Sequence, residues 1–317
     1  MSVSFARSDA SPALRAFAAD VGAEGPVRVV GAKSQWHRGR VALTDAREVR
    51  APSGIVSLEP AELIVRVGAG TPWDELDQAL SAEGMLCPID GPSPLSTVGG
   101  LFSVGDSGFR RLRYGHVRDL LLEARYVTAT GDLVKAGAPV VKNVTGFDLC
   151  RLLVGAIGTL GLIGEVVLRC RPRPQVQQWL VSRTVDPFAV RDCLYQPSFI
   201  GWNGQQTYVC LEGSAVEVRS DTQTLARLSS DWAETAMPPF PRGRRLSRRP
   251  RDLRHAPEEF SGGAWLAEIG VGVVHLDASF PPSAFEQPGP DPAVRSLNAD
   301  LKRAYDPTGR LNPGVTP

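Results

Sequence analysis

The chain of 317 residues has no run of about 18 apolar residues, the length a helix needs to cross a bilayer, so no transmembrane span is predicted. It has almost no net charge: 35 Lys and Arg stand against 34 Asp and Glu, which leaves +1. That balance removes the compositional case for a nucleic-acid or anionic-membrane binder. Its five cysteines, Cys87, Cys150, Cys170, Cys193 and Cys210, are odd in number and widely spaced, with no Cys-x-x-Cys. An iron–sulfur or structural zinc site is therefore not expected, and buried free thiols in a reducing compartment are. There are only four histidines, His37, His116, His255 and His275, none closely paired, and no metal site is predicted. The first 22 residues, MSVSFARSDASPALRAFAADVG, lack an uninterrupted apolar core and carry Asp9 and Asp20, so no signal peptide is predicted. These absences point to a cytoplasmic globular protein, long enough for two domains.

What is present is organised around Val141 to Cys170, VKNVTGFDLCRLLVGAIGTLGLIGEVVLRC. Leu149, Leu152, Leu153 and Ala156 follow the spacing of a buried helical face, Gly158 and Gly161 break it, and Ile163 to Leu168 runs apolar around Glu165. So glycine-rich a corner either lets backbone approach a flat or charged ligand or merely permits tight helix-on-strand packing.

Earlier in the chain, Ser11-Pro12 introduces a helix over Ala13–Val21, and Val27–Val30 is a short strand that empties into Gly31–Gly39. Such a turn can aim several backbone N–H groups at a phosphate, although an ordinary surface turn has the same composition. Strand Leu63–Val67 leads through Gly68-Ala69-Gly70 to a helix from Trp73 to about Ala82, capped by Thr71-Pro72. Gly91 to Gly115, with six glycines, is predicted to be a long functional loop without secondary structure, lined by the hydroxyls of Ser96, Thr97, Ser103 and Ser107. Arg110, Arg111 and Arg113 follow, either to neutralise a diphosphate or as a solvated face. Leu120–Thr128 and Leu133–Ala136 form a hairpin about Thr130-Gly131-Asp132.

Thr97-Val98-Gly99-Gly100, Gly105-Asp106-Ser107-Gly108, Arg113-Tyr114-Gly115 with Asp119, Lys142-Asn143 with Gly146-Phe147-Asp148-Leu149, and Gly158-Thr159-Leu160-Gly161 occur in a fixed order. That order resembles the FAD-binding domain of the vanillyl-alcohol oxidase/PCMH flavoprotein superfamily. LEPAELIVRVGAGTPWDEL, KNVTGFDLCRLLVG and the terminal DPTGRLNPG are most similar to the smaller, E-type FAD-binding subunits of bacterial glycolate oxidases. The resemblance covers Val27 to Pro174, resumes at Tyr305 to Gly314, and is poor between.

The resemblance implies an α+β protein: a two-lobed PCMH-type FAD-binding domain over residues 1–174, a reduced α+β cap or substrate domain over 175–290, and a C-terminal segment, 291–317, returning to the flavin domain. It assigns Gly31, Ala32, Lys33, Ser34 and Gln35 to the pyrophosphate. Thr97, Gly99, Gly100, Gly105, Ser107 and Gly108 would line a second loop. Gly158, Thr159, Gly161 and Ile163 would approach the cofactor through the backbone, and Asn312 would lie near the flavin ring. Relatives have three successive glycines where this chain has Gly31-Ala32-Lys33, so Lys33 either pairs with phosphate or obstructs the loop. No histidine stands where some relatives attach flavin covalently, His37 being a few residues on, so non-covalent FAD is expected. Gly105 replaces an asparagine common in the larger relatives.

The second domain is bounded by Arg171-Pro172-Arg173-Pro174 and by Gln287 to Pro292. Strands are predicted at Trp179–Thr184, Thr207–Glu212 and Ala264–Val274, and a helix at Val216–Trp232. Pro241 to His255 holds seven arginines against one aspartate and is expected to be a flexible solvated loop, a docking surface for an acidic partner, or an acidic-substrate site. No catalytic residue is assigned. His275 is the histidine placed best for a base, against the blander reading of a core or surface residue.

The expected function is an FAD-binding subunit of a 2-hydroxyacid (glycolate) oxidase or dehydrogenase complex. Its expected partners are a larger FAD-containing catalytic subunit and an iron–sulfur subunit, through which it would be peripheral to a membrane. The alternatives are a self-sufficient flavin oxidase of an alcohol or hydroxyacid, and a non-catalytic scaffold that has lost FAD.

Overall fold

The computed structural model describes residues 10–34, 36, 45–90, 95–138, 149–280 and 291–315. The fold is mixed α+β, in two compact units. The first comprises the chain up to Gly108, His116–Arg173 and the C-terminal segment from 291; the second takes Phe109–Gly115 and the chain from Pro174 to 289. The segment Phe109–Gly115 therefore belongs to the second unit, although it lies within the first domain's sequence.

The first unit opens with helix α1, Pro12–Val21. Ser11 caps it by accepting a 3.1 Å bond from the Leu14 N–H, and Leu14, Phe17 and Val21 form its buried stripe. Strands β1 (Val27–Val29) and β2 (Arg47–Val49) pair in parallel, with Arg28 opposite Glu48. The main sheet is antiparallel, in the order β3 (Ile55–Glu59), β4 (Ile64–Gly68), Leu162–Arg169, Leu121–Val127, Leu133–Gly137. Its central strand, Leu162–Arg169, is buried along nearly its whole length, as a strand covered on both faces must be. The Glu165 that interrupts this apolar run sits 3.1 Å from Arg66 and 2.9 Å from Arg125, and Glu123 shares the same arginines. The two buried carboxylates are thus paired across three strands.

Three local expectations fail in this unit. Gly91–Gly115 is not all loop: α3 spans Val98–Val104, capped by Thr97 and ended by Gly105 at φ 75°. Its glycines lower helix propensity, but Val98, Leu101 and Phe102 lie at i, i+3 and i+4 and are fully buried, so packing decides. Thr71 does not cap α2 (Trp73–Ala82); its hydroxyl donates to Gly68 O at 2.7 Å and accepts from Gly54 N at 2.8 Å, bracing the preceding turn. The helix expected around Leu149–Ala156 shrinks to Cys150–Leu153, because Gly155 turns at φ 84°.

The C-terminal segment is bound back into the same unit. Its helix Pro292–Tyr305, which the sequence reading left unassigned, leads to Asp306 and Arg310. The Arg310 guanidinium donates to five carbonyls, those of Val21, Gly22, Glu24, Gly25 and Ala129, at 2.8–3.1 Å. A cation at the C-terminal end of α1 also suits the helix dipole.

The second unit is a seven-stranded antiparallel sheet ordered Ala233–Glu234, Val176–Ser182, Thr207–Gly213, Phe199–Trp202, Trp265–Glu268, Val273–Leu276, Arg244–Ser247. Helices Pro187–Cys193 and Ala215–Leu228 bury Val190, Val218 and Leu225 in one core with Leu180, Val209 and Leu211. A second cluster gathers Phe109, Trp179, Phe199, Cys210 and Leu266. The single strand expected over Ala264–Val274 is a hairpin, turning at Gly270 and Gly272, both at positive φ. The arginine run is not a flexible loop: Arg244–Ser247 pairs with Val273–Leu276, and Leu246 and Leu253 anchor it at 1% exposure. Arg110 is neither solvated nor placed for a diphosphate; it grips buried Glu212 at 2.8 Å, and the Arg113 guanidinium donates to Glu212 O. Four of the five thiols are buried, and Cys193 is exposed. Among the described residues, no helix is long and apolar enough to cross a membrane.

Two outcomes test these anchors. Arg310→Ala leaves a cluster of carbonyls without donors and is expected to destabilise the protein by about 2–4 kcal/mol in a urea titration, with no rescue by Arg310→Lys. Burial pushes the Glu212 carboxyl up, but Arg110, Ser198 and Gln177 outweigh it and hold the group below its ordinary range. Its folded value lies under its unfolded one, so its contribution is full above about pH 4.3 and is lost as pH falls through the folded value. Arg110→Met reverses that sign. The variant is expected to lose about 3 kcal/mol at pH 7 and progressively less as acid neutralises Glu212; a loss independent of pH contradicts the pairing.

Candidate functional site

Several stretches of the first unit surround one cavity: Arg28 to Ser34 with Trp36, from β1 onward, Ala51, the Ala69-Gly70 turn, Ser96 to Val104 with α3, the corner Ile157–Ile163, and Asn312. The walls are tied by backbone and hydroxyl contacts. Val98 N and Gly99 N donate to Thr71 O and Ala69 O at 3.0 and 2.7 Å, and Ile157 N donates to Ser103 O at 2.9 Å. Ser34 Oγ meets Ser96 Oγ at 3.0 Å, joining two turns 62 residues apart.

The backbone is strained here. Among the described residues, four that are not glycine have positive φ, and three of them line this cavity: Lys33 at 57°, Ile157 at 50° and Asn312 at 45°. A left-handed backbone costs roughly 1–2 kcal/mol for an L-residue, and a β-branched Ile is an outlier there. Three such residues around one space mark it as the place the fold holds rigid for a ligand. The glycines play a related part. A Cβ on Gly31 would run into Thr97 Oγ1, and one on Gly99 would meet Ala69 Cβ at 2.8 Å.

Lys33 does not obstruct the turn, because it adopts the conformation a glycine would. Its ammonium is engaged by Glu48, 3.3 Å away, and by the Trp36 ring, 4.3 Å from Nζ to centroid. Arg28 shares Glu48 at 3.4 Å.

Of the residues singled out by sequence, Gly31, Ala32, Lys33, Ser34, Thr97, Gly99, Gly100, Gly158, Ile163 and Asn312 line this cavity. Others do not. Gly105 ends α3, Ser107 Oγ accepts from Val117 N at 3.0 Å, and a Cβ on Gly108 would strike Asp90. The Thr159 hydroxyl is spent on Ala156 O, and Gly161 makes room for the Tyr126 ring, the packing reading of that corner. Gln35, Lys142-Asn143, Gly146 to Asp148 and His37 lie outside the described residues. Sequence reasoning missed Arg28, Trp36 and Ile157. Arg28 had a signal, as a charge between valines in a strand; Ile157 had none.

In the second unit, His275 lies on strand Val273–Leu276, its Nε2 2.6 Å from Glu268 Oε1, with Phe240 edge-on at 4.9 Å. Glu268 is 2% exposed, and its Oε1 fixes the orientation of the ring through Nε2. Among the described residues, no group of three or more His, Cys, Asp or Glu side chains is arranged to hold a metal ion.

Glycine-lined walls, a turn with a cation at its edge and a returning C-terminal segment define a domain shaped for an extended, flat, anionic ligand. Residues 11–137 match the family described as the FAD binding domain, and FAD is the cofactor. The chain is 36% identical over 152 residues to glycolate oxidase subunit GlcE of Escherichia coli, a match spanning 47% of this chain and 43% of that protein. It is 33% identical over 129 residues to glycolate oxidase subunit GlcD of Bacillus subtilis, and 38% over 118 residues to a mitochondrial D-lactate dehydrogenase [cytochrome] of Arabidopsis thaliana. Those matches span 40% and 37% of this chain, and 27% and 20% of those relatives. Less than half the length of these curated relatives is therefore matched. The fold is shared with a solved alkyldihydroxyacetonephosphate synthase at TM-score 0.68 and 15% identity, over 95% of this chain and 74% of that one. Over the matched part, the chain is homologous to glycolate oxidase subunits and D-lactate dehydrogenases.

The contact between Gly31 and Thr97 is testable. Gly31→Ala is expected to lower stability by about 1–3 kcal/mol and to weaken FAD binding, and Thr97→Ala, which removes the colliding atoms, is expected to restore most of both. Additive losses in the double variant contradict the close approach.

Proposed function

We propose that this chain is the smaller FAD-binding subunit of a complex that oxidises a small 2-hydroxyacid of the glycolate or D-lactate class. The observation that supports it most is the cavity of the first unit, where strained Lys33, Ile157 and Asn312 converge with the glycines the family resemblance selects. Bound FAD would supply two-electron acceptance. The backbone of Gly31 to Ser34 would hold its diphosphate, and Gly99, Gly100 and Gly158 would let flat ligand surface pass close. The binding is proposed to be non-covalent. The proposed partners are a larger FAD-containing catalytic subunit and an iron–sulfur subunit, because the five scattered cysteines here offer no cluster ligands. The complex would be cytoplasmic, meeting a membrane only through those partners.

A second reading, a self-sufficient oxidase, draws support from the His275–Glu268 pair, which is built as an oriented base. The scaffold reading, motivated by Ala32 and Lys33, draws less support, since Lys33 adopts the left-handed conformation of a glycine and is engaged by Glu48 and Trp36.

The visible spectrum of the purified protein separates the three. Yellow colour released by acid precipitation, with no bleaching by anaerobic glycolate or D-lactate until the partner subunits are added, is the expected result. Bleaching of the isolated chain, abolished in His275→Gln, favours the self-sufficient oxidase. A protein that takes up no flavin on incubation with FAD contradicts both.

A further inference from the structure

Among the described residues that line the cavity, Arg28 is the one with buried side-chain polar atoms that have no partner. It sits in β1, 9% exposed, and its Nε and Nη1 are shielded from solvent and have no hydrogen-bond partner among the described residues. Its third nitrogen, Nη2, reaches Glu48 at 3.4 Å, and its guanidinium lies 5.4 Å from the Trp36 ring. A buried donor left unmade is unfavourable, more so on a charged group, and such orphans in native folds call for a missing partner.

The charges around it specify the partner's sign. Arg28 and Lys33 share the single carboxylate of Glu48, which is half-exposed, so the cluster carries one uncompensated positive charge beside the cavity. The backbone N–H groups of Gly31, Ala32, Lys33 and Ser34 donate to no acceptor among the described residues. A turn of free N–H groups beside a dry, unsatisfied guanidinium suits a ligand with several anionic oxygens.

We infer that Arg28 is a cofactor-binding residue that donates through Nε and Nη1 to the diphosphate of FAD, and that Glu48 holds it in place until that ligand arrives. The inference rests on the reading of this cavity as the FAD site. It gives Lys33 the lesser role: its side chain is 46% exposed and its ammonium already sits over Trp36, so water screens whatever it adds.

The test is titration of flavin-free protein with FAD and with riboflavin, which lacks phosphate, followed by flavin fluorescence at low and high salt. Arg28→Ala is expected to weaken FAD binding about 10- to 100-fold, to flatten its salt dependence and to leave riboflavin affinity within about twofold. Arg28→Lys recovers part of the loss, and Lys33→Ala changes FAD affinity by less than about threefold. Glu48→Gln, a surface change that keeps Arg28, is expected to tighten FAD binding several-fold by removing the competing carboxylate. This arm stands even if Arg28→Ala fails to fold. FAD bound equally by the parent and Arg28→Ala, or riboflavin lost in step with FAD, overturns the role of Arg28. Parent protein that binds riboflavin but not FAD, or neither, overturns the FAD reading itself.

Discussion

The return of the C-terminal segment is the constraint on which the first unit depends. Asp306 accepts from Lys302 at 2.6 Å and from the N–H groups of Arg310 and Leu311 at 3.0 and 2.8 Å. Lys302 also donates to Thr159 O, and Arg310 ends on five carbonyls around the close of α1. With the chain so fixed, Val27 N donates to Arg310 O, Asn312 N donates to Val27 O, and Asn312 Nδ2 donates to Ile157 O at 2.5 Å. One short stretch therefore sets the position of β1, of the Ile157 corner and of Asn312, three walls of the same cavity. Charged groups bonded to backbone carbonyls hold such a junction better than apolar contact, because their geometry is directional.

That rigidity explains how the strain at Lys33, Ile157 and Asn312 survives. Each conformation is unfavourable alone and persists because its neighbours are over-determined. Ile157 N is bonded to Ser103 O and its carbonyl to Asn312, and Lys33 is held by Glu48 and Trp36. The second unit is built on another plan: a wide antiparallel sheet with helices over one core and aromatic rings in another. Its buried carboxylates, Glu212 and Glu268, are met by Arg110 and by the His275 ring.

Much of the first unit was legible because its elements are local. Ser11-Pro12 announces α1, and the apolar run Ile163–Leu168 is the central strand. The ordered glycine motifs pointed to the cavity, but sequence could not separate glycines that face it, such as Gly31 and Gly158, from Gly161, which only admits the Tyr126 ring. That distinction lies in tertiary neighbours. Helix α3 was hidden by its glycines, and the strand Arg244–Ser247 by its arginines, since in both a few buried residues outweigh composition. Arg28 and Glu48 are 20 residues apart, and only the parallel pairing of β1 with β2 makes them neighbours.

Amide hydrogen exchange of the flavin-free protein, with and without added FAD, shows directly whether this cavity takes the cofactor. Exchange is expected to slow at 28–34, 96–104 and 157–163 and around Asn312, stretches that line the cavity. Protection elsewhere, with these four stretches unchanged, contradicts FAD binding in this cavity.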